Sequence, residues 1–217
     1  DALNAKLDLL NEKCIVNHSC YFGATNNNYT EFDKLDKHRV CGIKLFMGSS
    51  TGNMLVDKMN SLLNIFNGTD MLIAAHCEDQ ETIKNNIEKY KQKYKGADDI
   101  PVSAHPSIRS VPACYASSEL AVRLAKIAGA RLHILHVSTA KELQLFSDEP
   151  LANKNITAEA CVAHLLFTLT HYNSLGARIK CNPAVKRKTD REALRTAVNS
   201  GLIDVIATDH APHSEED

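Results

Sequence analysis

The feature that most constrains this chain is a repeating alternation of short, nearly uninterrupted apolar runs with longer amphipathic segments. The runs are 14-CIVNHSC-20, 42-GIKLFM-47, 71-MLIAAH-76, 131-RLHILHV-137, 155-NITAEAC-161 and 203-IDVIATD-209. Continuous apolar runs of this length read as strands buried on both faces of a parallel sheet. Helices are expected between them. Leu55, Met59, Leu62, Leu63 and Phe66 recur at helical spacing over 53–66, as do Leu120, Leu124 and Ile127 over 117–129, where Gly129 closes the helix. Thr189 and Glu192 stand in capping-box spacing at the head of a helix over 189–201. Ala2 to Asn11 reads as an opening helix, and the polar segment 81–95 as an outer helix or a solvated loop. Residues 96–114 form the one long irregular connection, a kind of loop that tends to be functional. Strand–helix alternation of this length implies an α/β fold, either an open doubly wound sheet or a barrel.

Six strands fall short of the eight that close a barrel. The chain opens in a helix and stops just after a strand, so a domain incomplete at both ends is expected. Its 217 residues suit one domain or a piece of one. With 25 basic and 26 acidic side chains the formal net charge is −1, which gives no electrostatic argument for nucleic acid or for an anionic membrane. The apolar runs are too short to span a bilayer, and the opening residues carry no charged-then-apolar leader pattern. Seven cysteines are dispersed without a CxxC pair, which favours the reduced thiols of a cytoplasmic protein over a disulfide framework.

The chemistry lies in the polar residues near the carboxyl ends of these runs. Lys44 sits inside 42-GIKLFMG-48, His76 ends the third run, His136 lies late in the fourth, and Asp209 ends the last. That is the face on which barrels and open α/β enzymes hold their sites. Taken singly, a histidine at a strand end is more often a hydrogen-bonded structural residue, and a strand lysine is usually a snorkelling side chain. Lys44, however, is flanked by Ile43, Leu45 and Phe46 with no acid nearby in sequence. An unpartnered buried ammonium either loses its proton or is chemically modified. A neutral amine can take up carbon dioxide to become a carbamate, a long carboxylate able to bridge two metal ions. Such a bridge with two imidazoles and an aspartate suits zinc.

Together these residues resemble a known family. Lys44 in GIKLFMGSSTGNM, His76 in AAHCED, His136 in LHVST and Asp209 in ATDHAPHS are similar to the amidohydrolase superfamily, and within it to the dihydroorotases. The strings ATDHAPHS, IKCNPAVK and 157-TAEACVAHLLFT-168 match that family better than its hydantoinase and allantoinase relatives. The resemblance implies a partial TIM-like (β/α)8 barrel, with about six of eight strands present, as a single metal-dependent hydrolase domain over 1–217. It implies two zinc ions bridged by carboxylated Lys44, with His76 and His136 on one and Asp209 on the other. Asp209 is then also the catalytic proton shuttle, and Asn182 and His213 bind substrate. The reaction implied is the reversible closure of N-carbamoyl-L-aspartate to dihydroorotate with loss of water, in pyrimidine biosynthesis. The expected partner is that small molecule, with no nucleic acid and no membrane, and with room for a homo-oligomer. One part of the family's pattern, a His-x-His pair on the first strand, has no match in this sequence.

Other polar residues read as supporting. Glu78 is placed to accept an imidazole N–H from behind, and Cys77 reads as a small buried residue. His210 is expected to face away from Asp209 as a structural neighbour, His164 to hold no metal, and His105 and Arg109 to be polar packing in the long loop. Two other functions fit the same residues. One is a hydantoinase- or allantoinase-type cyclic amidohydrolase, and the other a non-catalytic scaffold of dihydroorotase-like shape.

Overall fold

A computed structural model describes residues 2–48, 52–96 and 100–211. The chain runs α1 (Ala2–Lys13), β1 (Cys20–Gly23), β2 (Val40–Phe46), α2 (Met59–Asn67), β3 (Ile73–His76), α3 (Gln80–Tyr94), α4 (His105–Ile108), α5 (Val111–Ala128) and β4 (Leu132–Ile134). It continues through β5 (Ile156–Cys161), α6 (Val162–Leu166), α7 (Tyr172–Leu175), α8 (Lys188–Asn199) and β6 (Val205–Ala207). Each strand pairs in parallel with the next, in the order β1-β2-β3-β4-β5-β6. An open doubly wound sheet reverses its strand order partway. Here the order never reverses, and the sheet curls into half of a TIM-like barrel with helices on its outside.

The two-residue period of the strands divides their side chains cleanly. Ile43, Leu45, Ile73, Ala75, Leu132, Ile134, Ala158 and Ala160 are fully buried. They join Leu62, Ile65 and Phe66 of α2, Ala121 and Leu124 of α5 and Leu194 of α8 in one core. The alternate set, which includes Gly42, Lys44, Ala74, His76, His133, Thr157 and Glu159, belongs to the concave side. The runs are therefore apolar towards the helices and small or polar towards the barrel axis, not apolar on both faces.

Several boundaries differ from the sequence expectation, each for a local reason. The first strand is Cys20–Gly23, not 14–20. Ile15 and Val16 are 99% and 67% exposed, in a turn where His18 Nδ1 meets the Val16 carbonyl at 3.1 Å. The helix expected over 53–66 begins only at Met59. Leu55 instead bridges to Phe46, and Val56 N–H donates to the Phe46 carbonyl at 2.9 Å. Its buried face is accordingly Ser61, Leu62, Ile65 and Phe66, leaving Met59 and Leu63 exposed. α5 starts six residues earlier than expected and still ends at Gly129, which takes φ +65°; Ile127 faces solvent. Part of the long connection is thus helical. At the head of α8, Asp190 rather than Glu192 caps the first turn, accepting the Arg187 and Ala140 N–H groups at 3.2 and 3.0 Å.

Phe66 is the largest fully buried side chain of this core. Phe66→Ala should destabilise the fold by about 3–5 kcal/mol, as large-to-small substitution in a packed interior does. A urea unfolding series would register this as a lower midpoint at unchanged slope; an unshifted midpoint would contradict the assigned core.

Candidate active site

The parallel ladder sets the carboxyl ends of β2, β3 and β4 side by side. The register opposes Phe46 to His76 and Lys44 to Ala74. His76, the last residue of β3, and His136, two residues past β4, are both buried. Their rings meet edge to face with centroids 4.6 Å apart, and His76 Nδ1 lies 3.0 Å from His136 Nε2. Lys44 is half-buried beside them, its Nζ 4.4 Å from the centre of the Phe46 ring. Desolvation pushes its ammonium down to about 8, against the opposing pull of Asp209, Cys77 and Glu159.

Asp209 follows β6 by two residues at φ +48° and is exposed. Partial desolvation raises its carboxyl pKa; the Lys44 ammonium lowers it and Glu159 raises it. These mutual influences put Lys44, Asp209 and Glu159 in one electrostatic neighbourhood. His213 lies outside the described residues, while His210 is exposed, its N–H on the Thr208 hydroxyl at 3.3 Å.

Two buried carboxylates hold the histidine pair from behind. His76 Nε2 meets Glu78 Oε2 at 2.9 Å, and Arg109 Nη1 reaches the same oxygen at 2.5 Å. Burial opposes ionisation of Glu78, yet the His76 hydrogen bond and the Arg109 charge hold its carboxyl below the usual range. Arg109 is thus more than loop packing. Gly48 makes this arrangement possible, because a Cβ there would collide with the Glu78 backbone. On the other side, the His136 N–H donates to Glu159 Oε1 at 3.2 Å. Sequence reading missed Glu159, although its alternation with Thr157 and Cys161 along β5 marks it as facing the barrel axis.

The donor set fits a divalent cation. A carboxylate on His76 Nε2 puts the ring proton there and leaves the lone pair on Nδ1, aimed at His136. Two imidazole nitrogens bound to one tetrahedral zinc stand about 3.3 Å apart, close to the spacing found. His136 Nδ1 is a buried atom without a hydrogen-bond partner among the described residues. Burial, with His76 and Lys44 nearby, drives the His136 pKa well below its ordinary value, so the ring is neutral and can offer a lone pair. Among the described residues no three His, Cys, Asp or Glu side chains form a metal cluster by themselves.

Asn182 sits on a loop clamped from both sides. His105 Nε2 donates to the Cys181 carbonyl at 2.9 Å, and His164 Nε2 donates to the Pro183 carbonyl at 2.9 Å. Asn182–Pro183 is a cis peptide bond. His105 and His164 are therefore structural supports of the Asn182 loop. Burial pushes the His164 imidazolium down to about 4.

Folding holds His164 neutral where the unfolded chain protonates. Its contribution to stability is complete above about 6.5 and is lost as pH falls towards 4, roughly 3 kcal/mol over that window at about 1.4 kcal/mol per pH unit. His164→Gln retains a donor for the Pro183 carbonyl but cannot titrate. Urea stability measured across pH 4–7 should decline less steeply in the variant, and parallel curves would refute the assignment.

No family model matches the chain. Among curated proteins it is 34% identical to the dihydroorotase of Halalkalibacterium halodurans over 173 residues, 79% of this chain and 37% of the relative. It is 30% identical to that of Staphylococcus epidermidis over 190 residues, 87% of this chain and 43% of the relative. The chain thus spans well under half the length of these relatives. Among solved structures, the L-hydantoinase (dihydropyrimidinase) of Arthrobacter aurescens superposes with a TM-score of 0.86 at 24% identity, covering 99% of this chain and 48% of that one. The dihydroorotase of Campylobacter jejuni superposes at 0.52 and 19% identity, over 90% and 50%. At these identities the superpositions speak for the fold alone. Among the described residues no helix is long and apolar enough to cross a membrane. The fold, the strand-end residues and the sequence relatives agree, and the chain belongs to the dihydroorotase family.

Proposed function

We propose that this chain carries the central part of the active site of a metal-dependent cyclic-amide hydrolase, acting on dihydroorotate. The observation that supports this most is the His76 and His136 pair, nitrogen facing nitrogen at 3.0 Å beside a lysine whose ammonium is pushed down to about 8. His76 Nδ1 and His136 Nε2 would hold one zinc ion, Asp209 a second, and Lys44 as its carbamate would bridge the two. Bound there, the metal supplies Lewis acidity and lowers the pKa of water towards neutral. A Lys44 amine that loses its proton near pH 8 is neutral in a useful fraction at physiological pH, as carbamate formation requires.

Asp209 is exposed, unlike the buried and paired carboxylates Glu78 and Glu159. It would take the proton of the attacking water and deliver it to the leaving ring nitrogen, general base and then general acid. Asn182, on its clamped loop, and His213 would donate to the substrate's carboxylate and ring amide. In the opposite direction the same groups close N-carbamoyl-L-aspartate to dihydroorotate, a step of pyrimidine biosynthesis. A hydantoinase-type activity rests on the same residues and differs in the ring accepted.

The test is an assay of the protein, expressed with any sequence that flanks these 217 residues, on dihydroorotate, hydantoin and allantoin. Dihydroorotate should be turned over preferentially, and Asp209→Asn should lower kcat by about 10²–10⁴. Preference for hydantoin or allantoin would move the protein to the alternative ring. A folded sample holding clearly less than one zinc per chain and turning over none of the three would establish a scaffold instead.

A further inference from the structure

Beyond its charge near Lys44 and Asp209, Glu159 touches His136, and it touches it in an unusual way. It lies on the concave side of β5 and is 8% exposed. Its Oε1 accepts the backbone N–H of His136 at 3.2 Å, and its Oε2 meets His133 Nε2 at 3.1 Å. His133 Nδ1 in turn lies 2.8 Å from the Thr157 hydroxyl. Both carboxylate oxygens are thus occupied, and a short chain of polar groups ties β4 to β5.

The backbone explains why a carboxylate is needed at this point. After β4, Leu135 N–H donates to the Ala75 carbonyl of β3 at 3.0 Å. Two residues on, Val137 N–H donates to the Glu159 carbonyl of β5 at 2.8 Å. Between them His136 takes φ +39°, a left-handed conformation that L residues with a Cβ rarely adopt. The twist takes the His136 N–H off both ladders. A buried N–H without a partner is as costly as a lost hydrogen bond, and the Glu159 side chain supplies the missing acceptor.

We propose that Glu159 is a positioning residue: by capping the His136 N–H it fixes the left-handed turn that aims His136 Nε2 at His76 Nδ1. The inference rests on the metal-site reading for its consequence, but the backbone anchor can be measured without any metal. Glu78 steadies His76 through the ring, whereas Glu159 steadies His136 through the main chain. Among the described residues His136 Nδ1 has no hydrogen-bond partner, so the main-chain contact to Glu159 is what holds this imidazole from behind there.

The test uses Glu159→Ala and Glu159→Gln in the same protein. Gln keeps a carbonyl oxygen for the His136 N–H and an amide to face His133; Ala keeps neither. In ¹⁵N-labelled protein without metal, the His136 amide of E159A should exchange about tenfold or more faster, the factor that a hydrogen bond to a charged group is worth. Amides of α8 report any general loosening, and E159Q should exchange as the wild type does. Titrated with Co²⁺ and followed by its visible absorption, E159A should bind about 10–100-fold more weakly, as loss of a group behind a ligand does, and E159Q should recover the affinity. Wild-type exchange at His136 in E159A, or wild-type Co²⁺ affinity with the same spectrum, would overturn the proposal. If E159A fails to fold, E159Q decides: exchange at His136 as rapid as that of amides with no hydrogen bond would overturn it. A wild-type protein that binds no Co²⁺ would instead sink the metal reading, and the exchange measurement would still judge the anchor.

Discussion

Each strand of the sheet exchanges its backbone hydrogen bonds with the strand just before it and the strand just after it in sequence, and the candidate site hangs from that ladder. Parallel pairing in unbroken order leaves the carboxyl ends of all six strands on one rim. Residues as far apart as Lys44 and Asp209 then face the same space with no need for a specific long-range contact between them. The ladder in turn depends on the helix-facing half of each strand. Ile43, Leu45, Ile73, Leu132 and Ile134 are fully buried against α2, α5 and α8. A one-residue slip in register would turn these residues to the concave side and the lysine and histidines into the core. The apolar core thus fixes the placement of polar groups that it never touches.

Three buried acids stand around that rim, and each is compensated differently. Glu78 has a histidine and an arginine on one oxygen. Glu159 has a backbone N–H and a histidine, one on each oxygen. Glu142 accepts the Ser118 and Thr139 hydroxyls at 2.7 and 2.8 Å and the Thr139 N–H at 3.1 Å. Burial dominates there and raises the Glu142 carboxyl pKa. A buried carboxylate that lost its donors would cost several kcal/mol, so each acid makes its donors' geometry hard to change. Two of the three have candidate metal ligands among those donors. What holds the histidine pair in place is those two acids, not the imidazoles themselves.

Strand–helix alternation was plain in the sequence because burial against helices is a property of neighbouring residues; five of the six runs contain most of a strand, and 14–20 shares only Cys20 with one. Strand 14–20 failed because three apolar-rich residues in a turn mimic a strand start. Only the tertiary fact that Ile15 is fully exposed tells them apart. The start of α2 failed similarly: Leu55 fits a helical stripe, but pairing with Phe46 outcompetes it. Lys44, His76, His136 and Asp209, the residues proposed to hold the metal, could be singled out from type and position near the ends of runs, and the fold sets Lys44, His76 and His136 side by side. Glu159, His133 and Arg109 were not. Each matters through a partner 23 to 31 residues away, and periodicity carries no information at that range. Glu159 left one trace, a lone acid in an apolar strand, which is the pattern that asks for a buried partner.

The electrostatics of the rim favour the neutral ring that the proposed ligand His136 needs. A histidine binds a cation only through a lone pair, so a protonated pair would be useless. His136 is buried, with Lys44 and a second imidazole close by, and all three conditions disfavour its cation. The half-buried ammonium of Lys44 is itself held down by desolvation. A second positive charge, that of Arg109, stands on the far side of His76, paired with Glu78. Glu78 therefore does two jobs with one oxygen: it orients His76 and it pairs with the arginine. A cation entering between His76 Nδ1 and His136 Nε2 would meet two ring nitrogens, with the carboxyl groups of Glu159 and Asp209 nearby. Those are the conditions under which a divalent ion gains most from leaving water.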